Sequence, residues 1–202
     1  NPMDKIDRVK VRKRQRVYLT EEEMIKLFDY LEKNNKLREL AMISLLFSSG
    51  IRLSELYQLN RDSFDFERGI FSVVGKGQKF RHCLFDKYAE VNIKKYLATR
   101  TDDHPAFLYS RESNRLSRRA IQCSISSCVK NAGIDKDITT HNIRHTFANF
   151  LLRKGTPINM IKSVLGHESI ATTEIYTHDN IWNAQEFITD NLLNEDGEIL
   201  KR

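Results

Sequence analysis

The 202-residue chain has little cysteine and no long apolar run. Its three cysteines, Cys83, Cys123 and Cys128, are odd in number and lack Cys-x-x-Cys spacing, which argues against a disulfide framework and against a structural zinc site. Reduced, mostly packed thiols are expected. The longest apolar candidate, Leu40 to Phe47, falls well short of the ~18 residues that cross a bilayer and reads as a buried helix. No hydrophobic stretch follows the early charges Asp4 and Lys5, so no secretory signal is visible, and a cytoplasmic location without a membrane partner is the expectation. Neither a repeat, a low-complexity tract, a P-loop nor an acidic metal cluster is present; Glu21-Glu22-Glu23 is accounted for by helix capping. With 40% hydrophobic and 9% aromatic residues the chain holds enough apolar material for a core, so disorder over its length is excluded.

What is present is basic charge, unevenly placed. The formal net charge is +6, yet residues 1–16 carry seven Lys/Arg against two Asp and account for +5 of it. Such a stretch is either a solvated linker or an arm lying along phosphates, with Arg12, Lys13 and Arg14 as candidates for contact. Residues 111–130 net +4 through Arg111, Arg115, Arg118, Arg119 and Lys130, whereas residues 183–202 net −3. A positive segment and an acidic tail suggest a groove and something that stays out of it.

Thr20 followed by Glu23 forms a capping box that opens a helix to about Leu31. A second, largely buried helix runs from Leu37 to Phe47 and stops at Gly50; a third covers Ile51 to about Leu59, which puts Arg52 in its first turn, where the helix dipole disfavours a cation. The period then changes to two. Phe64 and Phe66, Ile70 to Val74, and Lys79 to Phe85 read as three short strands, the last two joined by the turn Gly75-Lys-Gly-Gln78. Helices resume over about Ala89–Arg100, Ser117–Asn131 and Thr140–Lys154; Thr156 and Pro157 then read as N-cap and first residue of a helix through Leu165. A short helix from Ser169 to Tyr176 and an amphipathic one from Trp182 to Asn194 complete an α+β fold, mostly helical with a small three-stranded antiparallel sheet.

His141 and Arg144 share a helical face by their spacing of three. His141 and His145 imitate a zinc pair, but Arg144 between them opposes a metal, and a phosphate site fits Arg and His together better. Lys76 in the hairpin turn, His167 beyond a helix end, and Tyr176 are each unremarkable alone. Their common order is specific.

That order, with the text Ser49-Gly-Ile-Arg-Leu-Ser-Glu-Leu56, Val74-Gly-Lys-Gly-Gln-Lys-Phe-Arg81, Thr140-His-Asn-Ile-Arg-His-Thr-Phe-Ala148 and Leu165-Gly-His-Glu-Ser-Ile-Ala-Thr-Thr-Glu-Ile-Tyr-Thr-His178, resembles the tyrosine recombinases, the phage-integrase-type site-specific recombinases. The resemblance covers about Leu19 to His178. It implies that Arg52 and Arg144 grip the scissile phosphate, and that His141 and His167 add hydrogen bonds. Tyr176 attacks to form a 3′-phosphotyrosine, and Lys76 protonates the departing 5′ oxygen. Glu55 and His145 are implied as supports, and Lys79, Arg81, Arg115, Arg118 and Arg119 join the DNA-binding candidates. No cofactor and no metal is expected; the expected partners are double-stranded DNA and other recombinase protomers in a tetrameric synapse.

By the same resemblance, residues 1–16 are an inter-domain linker, 17–180 the catalytic domain and 181–202 a C-terminal helix and acidic tail. A helical core-binding domain would precede them in a longer protein, although naturally short members exist. The strand text Arg81-His-Cys-Leu84, less aliphatic than the family's, leaves its packing in question. Relaxation of supercoils by a type IB topoisomerase, an inactive DNA-binding module and a metal-dependent hydrolase built on His141 and His145 are the competing readings. Integration of a mobile element, excision, inversion and dimer resolution all stay open.

Overall fold

The computed structural model describes residues 17–74, 80–110 and 114–166. Helix α1 (Glu21–Lys33) starts where the sequence places it: the Glu23 backbone N–H donates to the Thr20 hydroxyl, and the Thr20 backbone N–H donates to the Glu23 carboxylate. Helix α2 (Leu37–Ser49) is the hub of the fold and packs against four other helices. Only a helix apolar on every side can sit there. Its three serines, Ser44, Ser48 and Ser49, satisfy their hydroxyls on carbonyls of the preceding turn, so they add no unpaired group to the core.

Gly50 ends α2 with a left-handed backbone, φ 60°. Helix α3 (Leu53–Gln58) then begins two residues later than the apolar pattern suggests. Arg52 is therefore the N-cap, in extended conformation, and not a first-turn residue. The physical reason is Glu55, whose carboxylate reaches back to accept from the Arg52 backbone N–H at 2.7 Å and caps the helix there. A 3-10 turn over Arg61–Ser63, unread in the sequence, leads into the sheet.

Strands β1 (Phe64–Asp65), β2 (Ile70–Val74) and β3 (Phe80–Leu84) form an antiparallel sheet in that order. β3 pairs along its whole length with β2, which answers the question over its packing: Cys83 and Leu84 are buried, while Phe80 and His82 face outward. One aromatic cluster, Phe64, Phe66, Phe71, Phe85 and Phe107, anchors the sheet to the helices. Helix α4 (Lys87–Ala98) follows, then a two-residue hairpin, β4 (Tyr109–Ser110) with β5 (Asn114–Arg115), too short to show as periodicity.

Helix α5 (Arg118–Asn131) is capped by Ser117, and α6 (Thr140–Arg153) by Thr139. Helix α7 (Ile158–Val164) has Pro157 as its N-cap, with no side-chain cap bond. Thr156 is not the N-cap: the helix starts one residue later than expected, at Ile158 with Pro157 in the cap position, and the Thr156 backbone N–H donates to the Leu151 carbonyl at the end of α6. Gly166 closes the described chain in a left-handed turn, φ 62°. The expected helices Ser169–Tyr176 and Trp182–Asn194 lie outside the described residues.

Candidate functional site

Three segments distant in sequence meet at one end of α2: the Gly50–Glu55 turn, strand β3, and the α6–α7 pair. Arg144, on α6, is buried because the helix turns it inward between Ile143 and Phe147. Its fork donates through Nη1 to the Gly50 carbonyl and through Nη2 to the Leu165 carbonyl, the latter at 2.6 Å. Burial, and then the nearby Arg52, pull the Arg144 guanidinium down to about 10, partly opposed by Glu55. The rigid plane of the fork fixes the direction of both bonds to carbonyls of separate segments, a constraint that an ammonium's rotatable donors do not impose.

Arg52 is more exposed. Its Nη1 donates to Glu55 at 3.2 Å and its Nη2 to the Gly166 carbonyl at 3.1 Å. The Glu55 carboxylate is buried, and Arg81 of β3 donates through Nη2 to both of its oxygens at 3.0 Å. Burial raises the Glu55 carboxyl, but the Arg52 backbone N–H and the two guanidiniums outweigh it and hold the group below its ordinary range. Cys83 lies buried beside this cluster, and burial pushes its thiol up to about 12, which keeps it a neutral packing residue.

Three guanidiniums thus face one carboxylate. The excess positive charge, part of it desolvated and turned onto main-chain carbonyls, makes this an anion site in waiting. Gly50 is central to it. A Cβ there would lie 2.7 Å from side-chain carbons of both Leu165 and Phe147, at a φ that disfavours any L side chain. Gly50→Ala is expected to lower stability by about 2–4 kcal/mol, combining left-handed strain with overpacking, as measured by urea denaturation. A loss under 1 kcal/mol would show that the close approach yields freely.

His141 is exposed and its Nε2 lies 2.9 Å from Nε2 of His145, one turn on, with the rings edge to face. His145 also lines a groove shared with Tyr18, Ala148, Leu152 and Ile158. Arg144 points away from this pair into the interior. Among the described residues no group of three or more His, Cys, Asp and Glu could hold a metal ion, and no helix is long and apolar enough to cross a membrane.

Of the residues singled out from the sequence, Arg52, Glu55, Arg81 and Arg144 come together. Lys76, Lys79, His167, Tyr176, Arg12, Lys13 and Arg14 lie outside the described residues. Arg115, counted among the DNA-binding candidates, donates to the Tyr57 and Leu59 carbonyls at 2.8 Å and to Asn60, which makes it a latch on the loop after α3. Arg118 and Arg119 are exposed, Arg118 lying over the Tyr57 ring. The Arg81–Glu55 pair was missed, although strand alternation puts Arg81 on the buried Cys83 side of β3.

A small antiparallel sheet leaning on a helical body, with arginines converging at the end of a buried helix, is the architecture of tyrosine recombinase catalytic domains. The phage integrase family matches residues 17–181, and the chain belongs to that family. It is 35% identical over 190 residues to a protein named tyrosine recombinase XerC from Thermodesulfovibrio yellowstonii, covering 88% of this chain and 63% of that one. A crystal structure of XerA recombinase superposes with a TM-score of 0.71 at 30% identity, covering 85% of this chain and 63% of the other. XerH site-specific recombinase, solved bound to difH substrate before cleavage, gives 0.65 at 25% identity, with coverage of 80% and 50%. The chain therefore spans less than two thirds of the length of these relatives.

Proposed function

We propose that this chain is the catalytic part of a site-specific DNA recombinase that cuts and rejoins strands through a 3′-phosphotyrosine. The observation that carries the reading is the buried, charge-strained Arg144 beside Arg52, both turned toward one patch of main-chain carbonyls. A scissile phosphate bound there would exchange weak neutral acceptors for charged ones, and the gain is largest in the pentavalent transition state, where the non-bridging oxygens carry most charge.

In this reading the Tyr176 hydroxyl oxygen attacks phosphorus and its proton passes to His141. The bond from phosphorus to the 5′ oxygen breaks, and Lys76 gives that oxygen a proton. His167 joins the two arginines on the phosphate. The ester keeps the bond energy, so a 5′-hydroxyl from another strand reverses the step without ATP. Double-stranded DNA is the substrate and further protomers, assembled as a tetramer on two sites, are the partners; Arg118, Arg119, Lys79 and the basic residues Arg12, Lys13 and Arg14 supply phosphate contacts. The work is placed in the cytoplasm, where such DNA lies. XerH captured on its DNA supports the substrate class.

Incubation with a pool of nicked duplexes of randomised sequence, in chelator, is expected to give a denaturant-resistant adduct on the 3′ side of the break, leaving a free 5′-hydroxyl. An adduct on the 5′ side, or one that needs a divalent metal, would overturn the reading.

A further inference from the structure

We propose that Arg81 is a positioning residue for Arg52, acting through Glu55, and not one of the cations that contact DNA. The inference rests on the recombinase reading above and deepens it. Glu55 is 3% exposed, so its charge must be met by protein groups. It has a backbone donor from Arg52 at 2.7 Å, one side-chain donor from Arg52 at 3.2 Å, and Arg81 at 3.0 Å to each oxygen. Arg81 thus reaches both oxygens through its side chain, whereas the Arg52 side chain reaches one. With it in place, Arg52 gives Glu55 only one side-chain donor and keeps Nη2 directed to the Gly166 carbonyl, on the open side of the cluster. Without it, Arg52 is the nearest guanidinium able to neutralise a buried carboxylate, and its fork is drawn inward, away from any phosphate.

A second contact gives the same residue a second task. A Cβ built on Gly166 would come within 2.9 Å of the Arg81 guanidinium carbon, so the side chain lies directly against the turn that ends α7. One guanidinium thus ties together the strand that follows Lys76, the helix that follows Arg52 and the turn that precedes His167. Groups contributed by three separate segments need such a tie, because misplacement of a reacting group by ~1 Å can lower a rate about a hundredfold.

The charged and titratable groups facing Glu55 are Arg52 on its own element, Arg81 and Cys83 on β3, and Arg144 on α6. Removing Arg81 takes away attraction that holds the carboxyl low, so Glu55 needs a higher pH to stay ionised. The test uses the whole chain on the nicked duplexes above, with the rate of adduct formation at saturating DNA followed against pH, and affinity followed against salt. Arg81→Gln is expected to slow the covalent step by about tenfold to a hundredfold with affinity within about twofold, and to move the acid limb of the profile to higher pH. Arg81→Lys keeps the charge and, since a single Arg81 nitrogen makes both bonds, keeps part of the contact while losing the guanidinium's packing against Gly166; it is expected to lose only severalfold in rate with the limb where the wild type has it. An Arg81→Gln rate equal to wild type overturns the assignment. So does a defect confined to affinity with the salt slope reduced by about one, the signature of a lost phosphate contact. If Arg81→Gln does not fold, a limb shifted in Arg81→Lys as well overturns it. Absence of any adduct with the wild-type chain would instead strike the underlying recombinase reading, which keeps the two failures apart.

Discussion

Arg144→Lys is expected to slow adduct formation at saturating DNA by about a hundredfold to a thousandfold, the range seen when one fixed donor to a developing oxyanion is removed. The size follows from geometry. Arg144 joins the Gly50 and Leu165 carbonyls through separate nitrogens of one rigid plane, across 94 and 21 residues of chain. Lysine brings its donors to a single atom without that fixed plane, and so holds both segments and a phosphate less rigidly and without bidentate contact. Its charge is also more fragile. Burial already pulls the Arg144 guanidinium from 12.5 to about 10. The same burial acting on an ammonium that starts near ~10.4 carries it toward the working pH. The variant should therefore recover part of its activity as pH falls from about 8.5 to 6.5, when wild type does not; a pH-independent ratio between the two would contradict this. The linkage has a further consequence. A cation whose folded pKa lies below its unfolded value weakens the fold throughout the neutral range, and stability is regained only as pH rises through about 10. An anion between Arg52 and Arg144 relieves that cost, so wild type should gain melting temperature on binding DNA, and Arg144→Lys should gain less.

Local signals in the sequence were enough for most elements. The Thr20–Glu23 box, the Gly50 and Gly166 stops and the alternation of β2 and β3 each depend on neighbours within a few residues, and each stands in the structure. Errors arose where a side chain decided a boundary. The apolar side Leu53, Leu56 and Leu59 suggests a helix from Ile51 that takes in Arg52, but the Glu55 carboxylate caps it at Arg52, so the helix begins one residue later. Thr156 has the chemistry of an N-cap, yet Pro157 takes the cap position and the Thr156 N–H closes the end of α6. The arginines show the same limit more sharply. Arg81, Arg115 and Arg118 look alike as basic residues near glycine or serine. Which of them is engaged within the fold depends on carbonyls and carboxylates 26 to 58 residues away, and no periodicity reports that. The motif order names the candidate residues; the partner of each described cation is a property of tertiary structure alone.

Tyr176→Phe is expected to form no covalent adduct at any time or DNA concentration, while binding DNA within about twofold of wild type. The substitution removes one oxygen and keeps the ring, so the change is confined to the proposed nucleophile. Slow nicking by water is the residual chemistry that Arg52 and Arg144 could still support, and it leaves free ends without protein attached. The informative control is Tyr18, which lines the groove beside His145 and is the described tyrosine nearest in kind to a competitor. Its backbone argues for a structural post: the Tyr18 carbonyl accepts from Lys136, and the next residue, Leu19, donates to Thr146 of α6, fixing the segment against the domain. An attacking tyrosine must instead approach in line with the bond that breaks and withdraw for the incoming strand, which a segment so tied does not favour. Tyr18→Phe should thus form adduct within about threefold of the wild-type rate. If Tyr18→Phe loses the adduct and Tyr176→Phe retains it, the nucleophile is Tyr18 and the role given to the Gly166–His178 block is wrong. If both retain it, neither Tyr18 nor Tyr176 is the required nucleophile, and the assignment of the ester to Tyr176 fails.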